Sequence, residues 1–298
     1  MMNILAKILV AVLAAGYCYA QSTIYASCAR VTNISYYDAA ALRDADDYQR
    51  SQCRLDLRYP TNKSRFATVV WFHGGGLTTG KRSVIDLKTP DIAVVGVGYR
   101  LSPKVSYPAF IEDAAAAIAW VIKNIGSYGG DPGRVYLSGH SAGGYLILMT
   151  GMDPKWLAVH AISNTQIAGL IPVSAQVTTH FLVKKQRGDT GPQYRPIIDE
   201  CAPLYYCAKD LPPVCIITGD RAIEFKCRVE ENELMYASLK ALGHPAVEFH
   251  EMKGFNHSTI ATGGLPSVRA FVEAMETQPR KTVANPAGST APDNTQNE

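Results

Sequence analysis

The chain has 298 residues, 47% of them hydrophobic and 18% charged, so it is long and apolar enough to bury one large core. Its formal net charge is only +3, with both signs intermixed along the chain, which argues against a nucleic-acid-binding surface. One folded domain over residues 21–276 is expected, with no internal repeat.

The N-terminus places Lys7 before the apolar run 8–15 and then Cys18-Tyr19-Ala20 before Gln21. Small residues at these positions are what signal peptidase requires, so residues 1–20 are expected to be a signal peptide cleaved after Ala20, making the mature protein secreted or periplasmic. The run is too short to span a bilayer, and no integral membrane span is expected in the mature protein. A lipid anchor at Cys18 is the alternative, with Tyr17 standing where such signals carry a small residue. Of seven cysteines, those at 28, 53, 201, 207, 215 and 227 would remain, an even number that permits three disulfides in an oxidising compartment. Their spacing matches no zinc pattern, and neither a metal nor any other cofactor is expected.

After a Tyr- and Asp-rich stretch at 29–50, residues 53–59 alternate apolar and polar side chains like an antiparallel edge strand leading into the core. Residues 67–72 and 92–97 are near-continuous apolar runs, the pattern of parallel strands covered on both faces. Directly after the first of them comes His73-Gly74-Gly75-Gly76. Consecutive glycines let backbone N–H groups approach a ligand closely, so this loop is a candidate oxyanion site. A phosphate loop is the competing reading, but Gly80-Lys81 is followed by Arg82 where Ser or Thr would be needed.

Helical spacing of Phe110, Ala114, Ile118, Val121, Ile122 and Ile125 predicts a crossover helix stopped by Gly126 and Gly129-Gly130. A strand at 134–137 then leads into Gly139-His140-Ser141-Ala142-Gly143 and an apolar helix at 142–151. Strand, Gly-x-Ser-x-Gly and helix in that order form a nucleophile elbow, in which Gly139 and Gly143 leave room for a strained, exposed Ser141. Strands at 168–173, 214–218 and 247–251 alternate with helices at 229–242 and 266–275, predicting a mostly parallel sheet with helices on both faces, an α/β fold. Residues 177–210 interrupt the alternation and read as a small cap, and 277–298 as a disordered tail poor in large apolar residues. Within the cap, Lys184, Lys185 and Arg187 are candidates for attracting an acidic substrate. Of seven histidines, His257 alone follows the last predicted strand, the place for a base serving Ser141.

The elbow, the His-Gly-Gly-Gly loop, Tyr99-Arg100-Leu101-Ser102-Pro103 and the turn Gly129-Gly130-Asp131-Pro132 occur together in this order. In this the chain resembles the hormone-sensitive-lipase-like and carbohydrate-esterase-like branch of the α/β hydrolases, over about residues 55–275. The resemblance implies two-step acyl transfer, with Ser141 as nucleophile, His257 as base and the N–H groups of Gly75, Gly76 and Ala142 as the oxyanion hole. The substrates it implies are short-chain or carbohydrate-linked (acetyl or feruloyl) esters, small molecules or glycan-linked. The same constellation would serve an amidase, formamidase or peptidase, and a non-catalytic binding protein could descend from such an enzyme.

The family's acid is the departure. Relatives commonly carry Gly-Glu-x-Asp, whereas Gly219-Asp220-Arg221-Ala222 has Ala where that Asp would stand. A two-residue insertion would bring Glu224 into the role, with Asp220 the alternative, while Glu230, Glu231 and Glu233 read as the solvated face of a helix. Tyr99 and Arg100 read as structural and Asp113 as a helix-surface charge. The sequence leaves the oligomeric state open.

Overall fold

The apolar runs of the sequence become the middle of one eight-stranded sheet. The computed structural model describes residues 24–278; the expected signal peptide, the Cys18 site and the tail beyond 278 lie outside the described residues. In chain order the elements are β1 (Cys28–Ser35), α1 (Asp47–Gln52), β2 (Arg54–Pro60), β3 (Phe66–Phe72), β4 (Ala93–Val97) and α2 (Ala109–Asn124). They continue with β5 (Gly130–His140), α3 (Ala142–Met152), α4 (Lys155–Ala158), β6 (Gly169–Val173), α5 (Phe181–Gln186) and β7 (Val214–Thr218). The last are α6 (Arg228–Ala241), β8 (Val247–Glu251), α7 (Ile260–Gly263) and α8 (Leu265–Thr277).

The strands lie in the order β1-β2-β4-β3-β5-β6-β7-β8. β2 runs antiparallel to β1 and to β4, and every other pairing is parallel. Because β3 is followed outward by β4 on one side and by β5 on the other, the chain reverses its winding between β3 and β5. The loops at the carboxyl ends of these two strands therefore diverge and open a crevice, which is where a sheet of this kind holds its site.

Alternate residues of the central strands point to opposite faces, and each face has its own core. Val70, Phe72, Val95, Val97, Leu137 and Ile216 pack with α2, α3 and α6 on one side. Val69, Trp71, Val94, Tyr136, Ile171 and Ile217 pack with Val268, Phe271 and Val272 of α8 on the other. α3 is buried all round, as its uniformly apolar sequence demands. Complete burial of Leu146, Ile147 and Leu148 contributes roughly 1.5–3 kcal/mol per side chain.

The structure differs from the sequence reading in three places. β5 starts at Gly130, not 134, because Gly130 already pairs with Phe66 before a register shift. The stretch at 29–50, given no element above, contains most of β1, which pairs antiparallel with β2 across a long excursion containing α1. Asp113 is no surface charge: it is completely buried, and its carboxylate accepts from Arg100 Nη2 at 2.7 Å, from the Arg100 amide at 2.9 Å and from the Tyr37 hydroxyl at 2.8 Å. This ties the loop after β4 to α2. All six described cysteines carry free thiols.

Candidate active site

Ser141 sits at the carboxyl end of β5, in the turn into α3, with φ 54° and ψ −113°. That strained backbone is held by the Ser141 amide donating to Val173 O at 2.9 Å and by glycines on either side. A Cβ on Gly139 would fall 2.5 Å from the Gly143 carbonyl carbon, and one on Gly143 would fall 2.1 Å from Phe72 O. Both collisions are with backbone, so neither position accepts a side chain.

Two loops from more distant strands complete a hydrogen-bonded row. His257, after β8, places Nε2 2.9 Å from Ser141 Oγ. Its Nδ1 lies 2.7 Å from Oε1 of Glu224, in the loop after β7. Glu224 also accepts from the Phe225 amide at 2.7 Å and, through Oε2, from the Gly219 amide at 3.1 Å. Burial alone would raise this carboxyl, but the hydrogen bond from His257, followed by that from the Phe225 amide, holds it below the ordinary value. Glu224 is thus an anion at neutral pH. It fixes a proton on Nδ1 and leaves the Nε2 lone pair facing the Ser141 hydroxyl, an arrangement that can deprotonate the serine.

Asp220 stands outside the row. Its oxygens accept from the amides of Ala222 at 3.1 Å and Gly254 at 3.0 Å, so it ties the β7 loop to the loop that carries His257.

The loop after β3 lies against the same serine. A Cβ on Gly74 would be 3.3 Å from Ser141 Cβ. Gly75 has φ 109° and would meet Thr79 O at 2.1 Å, while its own carbonyl accepts from the amides of Thr78 and Thr79, both at 3.0 Å. Turning that carbonyl into the loop leaves the amides of Gly75 and Gly76, like that of Ala142 at the start of α3, without an acceptor among the described residues. These are the donors an oxyanion site requires. His73 is buried, stacks on Tyr99 with ring centroids 4.4 Å apart, and has its carbonyl bound by the Tyr99 hydroxyl at 2.8 Å. It anchors the loop.

Two other residues support the row in ways the sequence did not signal. Ser174, directly after β6 with φ 47°, places Oγ 2.9 Å from His257 Nδ1. His140 Nε2 lies 2.7 Å from His257 O, and since a carbonyl only accepts, that nitrogen carries the proton. Burial first, and then the neighbouring His257, push His140 down to about 4, so it is a neutral strut holding the His257 loop against the elbow.

The cleft over Ser141 is about 470 Å³ and is walled by Phe181, Leu182, Phe225, Gln176, His180 and Arg228. Segment 177–210 contributes His180, Phe181 and Leu182. Two of its three basic residues named above, Lys184 and Arg187, are already engaged by the protein itself. Lys184 is buried and donates to the carbonyls of Gln193 at 3.0 Å and Arg195 at 2.6 Å, and Arg187 pairs with Asp199 at 2.6 Å and Glu200 at 2.8 Å. Glu231 also departs from expectation: it faces inward, and its Oε2 accepts from the Thr178 hydroxyl at 2.9 Å. Among the described residues, donor atoms of Cys215, Glu248 and His250 come within 4.8 Å of one another, but they lie on β7 and β8 away from the cleft.

A mostly parallel sheet with helices on both faces, a serine elbow at its winding reversal and a histidine loop after the last strand together decide the fold. The chain has the α/β-hydrolase fold. The BD-FAE family model matches residues 55–169, from β2 to the start of β6, which includes the glycine loop and the elbow but neither Glu224 nor His257. The chain is 37% identical to Carboxylesterase 1F of Mus musculus over 123 residues, 36% of this chain and 22% of that protein. It is 41% identical to Carboxylesterase NlhH of Mycobacterium tuberculosis over 91 residues, 28% of each. The matched part is thus under a third of either relative's length. Among solved structures, a truncated carbohydrate esterase from gut microbiota superposes with TM-score 0.63 at 17% identity, covering 84% of this chain and 97% of that one. Esterase B from Lactobacillus rhamnosis superposes with TM-score 0.64 at 21% identity, covering 91% and 96%. Both share this hydrolase fold.

Proposed function

We propose that the protein is a serine carboxylic ester hydrolase acting through an acyl-enzyme on Ser141. The observation that carries the reading is the row Ser141 Oγ, His257 and Glu224, at 2.9 and 2.7 Å, beside three backbone amides with no other acceptor among the described residues. In this mechanism Ser141 Oγ attacks the ester carbonyl while His257 Nε2 takes its proton, and Glu224 stabilises the imidazolium. The amides of Gly75, Gly76 and Ala142 receive the charge that develops on the carbonyl oxygen. His257 then protonates the departing alkoxide, leaving acyl-Ser141. In the second half His257 deprotonates a water, which attacks the acyl carbonyl, and the acid and Ser141 are released.

Short acyl groups fit a cleft of about 470 Å³ lined by Phe181, Leu182 and Phe225. Acetyl or feruloyl esters on a carbohydrate are the finer reading, supported by the neighbour named as a carbohydrate esterase. The export pattern of residues 1–20 would place the enzyme outside the cytoplasm, where such polymers occur.

The test is hydrolysis of p-nitrophenyl acetate, butyrate and octanoate and of methyl ferulate. Wild type is expected to turn over acetate and butyrate, and Ser141→Ala to lose on the order of a millionfold in kcat. Folded wild type that hydrolyses aminoacyl anilides but no ester would replace this reading with an amidase.

A further inference from the structure

The wall of the cleft contains a cation whose hydrogen-bonding capacity is unused. Arg228, the first residue of α6, is 3% exposed, yet its guanidinium donates no hydrogen bond among the described residues. Nε and Nη1 are completely covered and unsatisfied. Its ion-pair partner is Glu231, with Nη1 3.1 Å from Oε1 at an angle that makes no hydrogen bond. Glu231 is already engaged through its other oxygen by Thr178. A second carboxylate nearby, Glu224, is committed to His257 and the Phe225 and Gly219 amides.

A guanidinium has five N–H donors and stays charged at any ordinary pH. Holding one in a dry site with its donors idle is costly, and native structures rarely tolerate it without a reason. The surroundings fix it in place. The Asn232 side chain donates to both Arg228 O and Ala175 O at 2.8 Å, pinning the start of α6 to the end of β6, and the guanidinium carbon sits 5.7 Å from the Phe225 ring centroid. His180, beside it, accepts from the Leu182 amide through Nδ1, which puts its proton on Nε2, a second donor without a partner among the described residues. Both residues line the cavity that contains Ser141 and His257.

We propose that Arg228, assisted by His180, receives a carboxylate carried by the ester substrate, making the enzyme selective for anionic esters. The inference rests on the esterase reading of the same cleft and adds the substrate's charge. A carboxylate would meet Arg228 at Nη2, the guanidinium nitrogen that is not among the covered ones, and its charge matches the guanidinium better than any neutral acceptor does. Lys184 cannot play this part, since it is consumed by backbone carbonyls.

Two matched pairs of esters test it: 4-acetoxybenzoate against 4-acetoxybenzamide, with the charge on the alcohol side, and monomethyl adipate against methyl adipamate, with the charge on the acyl side. In wild type, kcat/KM for the anionic member of at least one pair should exceed that of its neutral partner by about 10- to 100-fold, the range of one charged hydrogen-bonded contact. Arg228→Gln should bring that ratio to about one or below, and Arg228→Lys should restore only part of it. Since Arg228→Gln leaves Glu231 unpaired and could unfold the protein, Arg228→Gln/Glu231→Gln is the second variant. A wild-type ratio near one, with the neutral esters turned over, overturns this inference and leaves the esterase reading standing. A preference that survives loss of Arg228 overturns it too. Turnover of neither member of either pair is instead the failure of the esterase reading.

Discussion

Replacing Glu224 by Gln exchanges one carboxylate oxygen for an NH2 group at a site where every acceptor position is used. Oε1 faces His257 Nδ1 and the Phe225 amide, and Oε2 faces the Gly219 amide. All three neighbours are donors, and an amide side chain offers only one acceptor atom. With the oxygen of the new side chain toward His257, its nitrogen would oppose the Gly219 N–H. Flipped, it would donate to Nδ1 and hold the proton on Nε2, where the imidazole can no longer accept from Ser141. Either way the charge that stabilises the imidazolium is gone. A wrong tautomer plus that loss is worth about ten-thousandfold in kcat, or roughly 5 kcal/mol. Asp220→Asn also leaves one of its two amides facing an NH2 group, since each binds a different oxygen, but neither amide belongs to the row, so it should cost less than about tenfold in kcat. The assay is p-nitrophenyl acetate hydrolysis by wild type and both variants, with circular dichroism to show that each is folded. Folded Glu224→Gln with more than about a tenth of wild-type kcat, or Asp220→Asn damaged as severely, would refute the assignment.

Three further outcomes follow from the geometry. Gly143→Ala puts a methyl group 2.1 Å from Phe72 O and should abolish soluble, active protein, whereas Gly126→Ala, with nothing within 4 Å, should shift the urea midpoint little. Asp113→Ala strands Arg100 in a buried pair and should cost about 3–5 kcal/mol, while removal of Asp91 from its exposed pair with Lys63 should cost less than about 1 kcal/mol in the same unfolding series. Burial, with a smaller contribution from nearby charge, holds His140 at about 4 and His180 at about 3, against roughly 6.5 in an unfolded chain. Between those values the unfolded state binds the extra protons, so stability is full above about pH 6.5 and falls as pH drops, by about 1.4 kcal/mol per pH unit per histidine. Urea unfolding at pH 7, 6 and 5 should show this slope, and His140→Gln should remove about half of it; a flat profile would count against two neutral buried imidazoles.

What could be read from the sequence was whatever depends on neighbours in the chain. The elbow is legible because strand, strained serine and two space-starved glycines are contiguous, and β3, β4 and β7 because burial on both faces leaves an unbroken apolar run. His257 could be placed from chain order alone. The misread polar side chains are those whose partners come from other parts of the chain. Asp113 lies on a helix whose spacing says nothing of Arg100 and Tyr37, which enclose it from other elements. Glu231 and Lys184 resemble solvated residues until Thr178 and the 193–195 carbonyls arrive. Ser174 has no signature beyond its place after β6, and its left-handed backbone is visible only in three dimensions.

The central claim is that Ser141 is the activated nucleophile, and covalent labelling tests it most directly. Wild-type protein treated with a fluorophosphonate and mapped by peptide mass spectrometry should carry one adduct, on Ser141, with none in Ser141→Ala and labelling slowed by orders of magnitude in His257→Ala. Folded wild type that stays unmodified, or carries its adduct on another residue, would contradict the account.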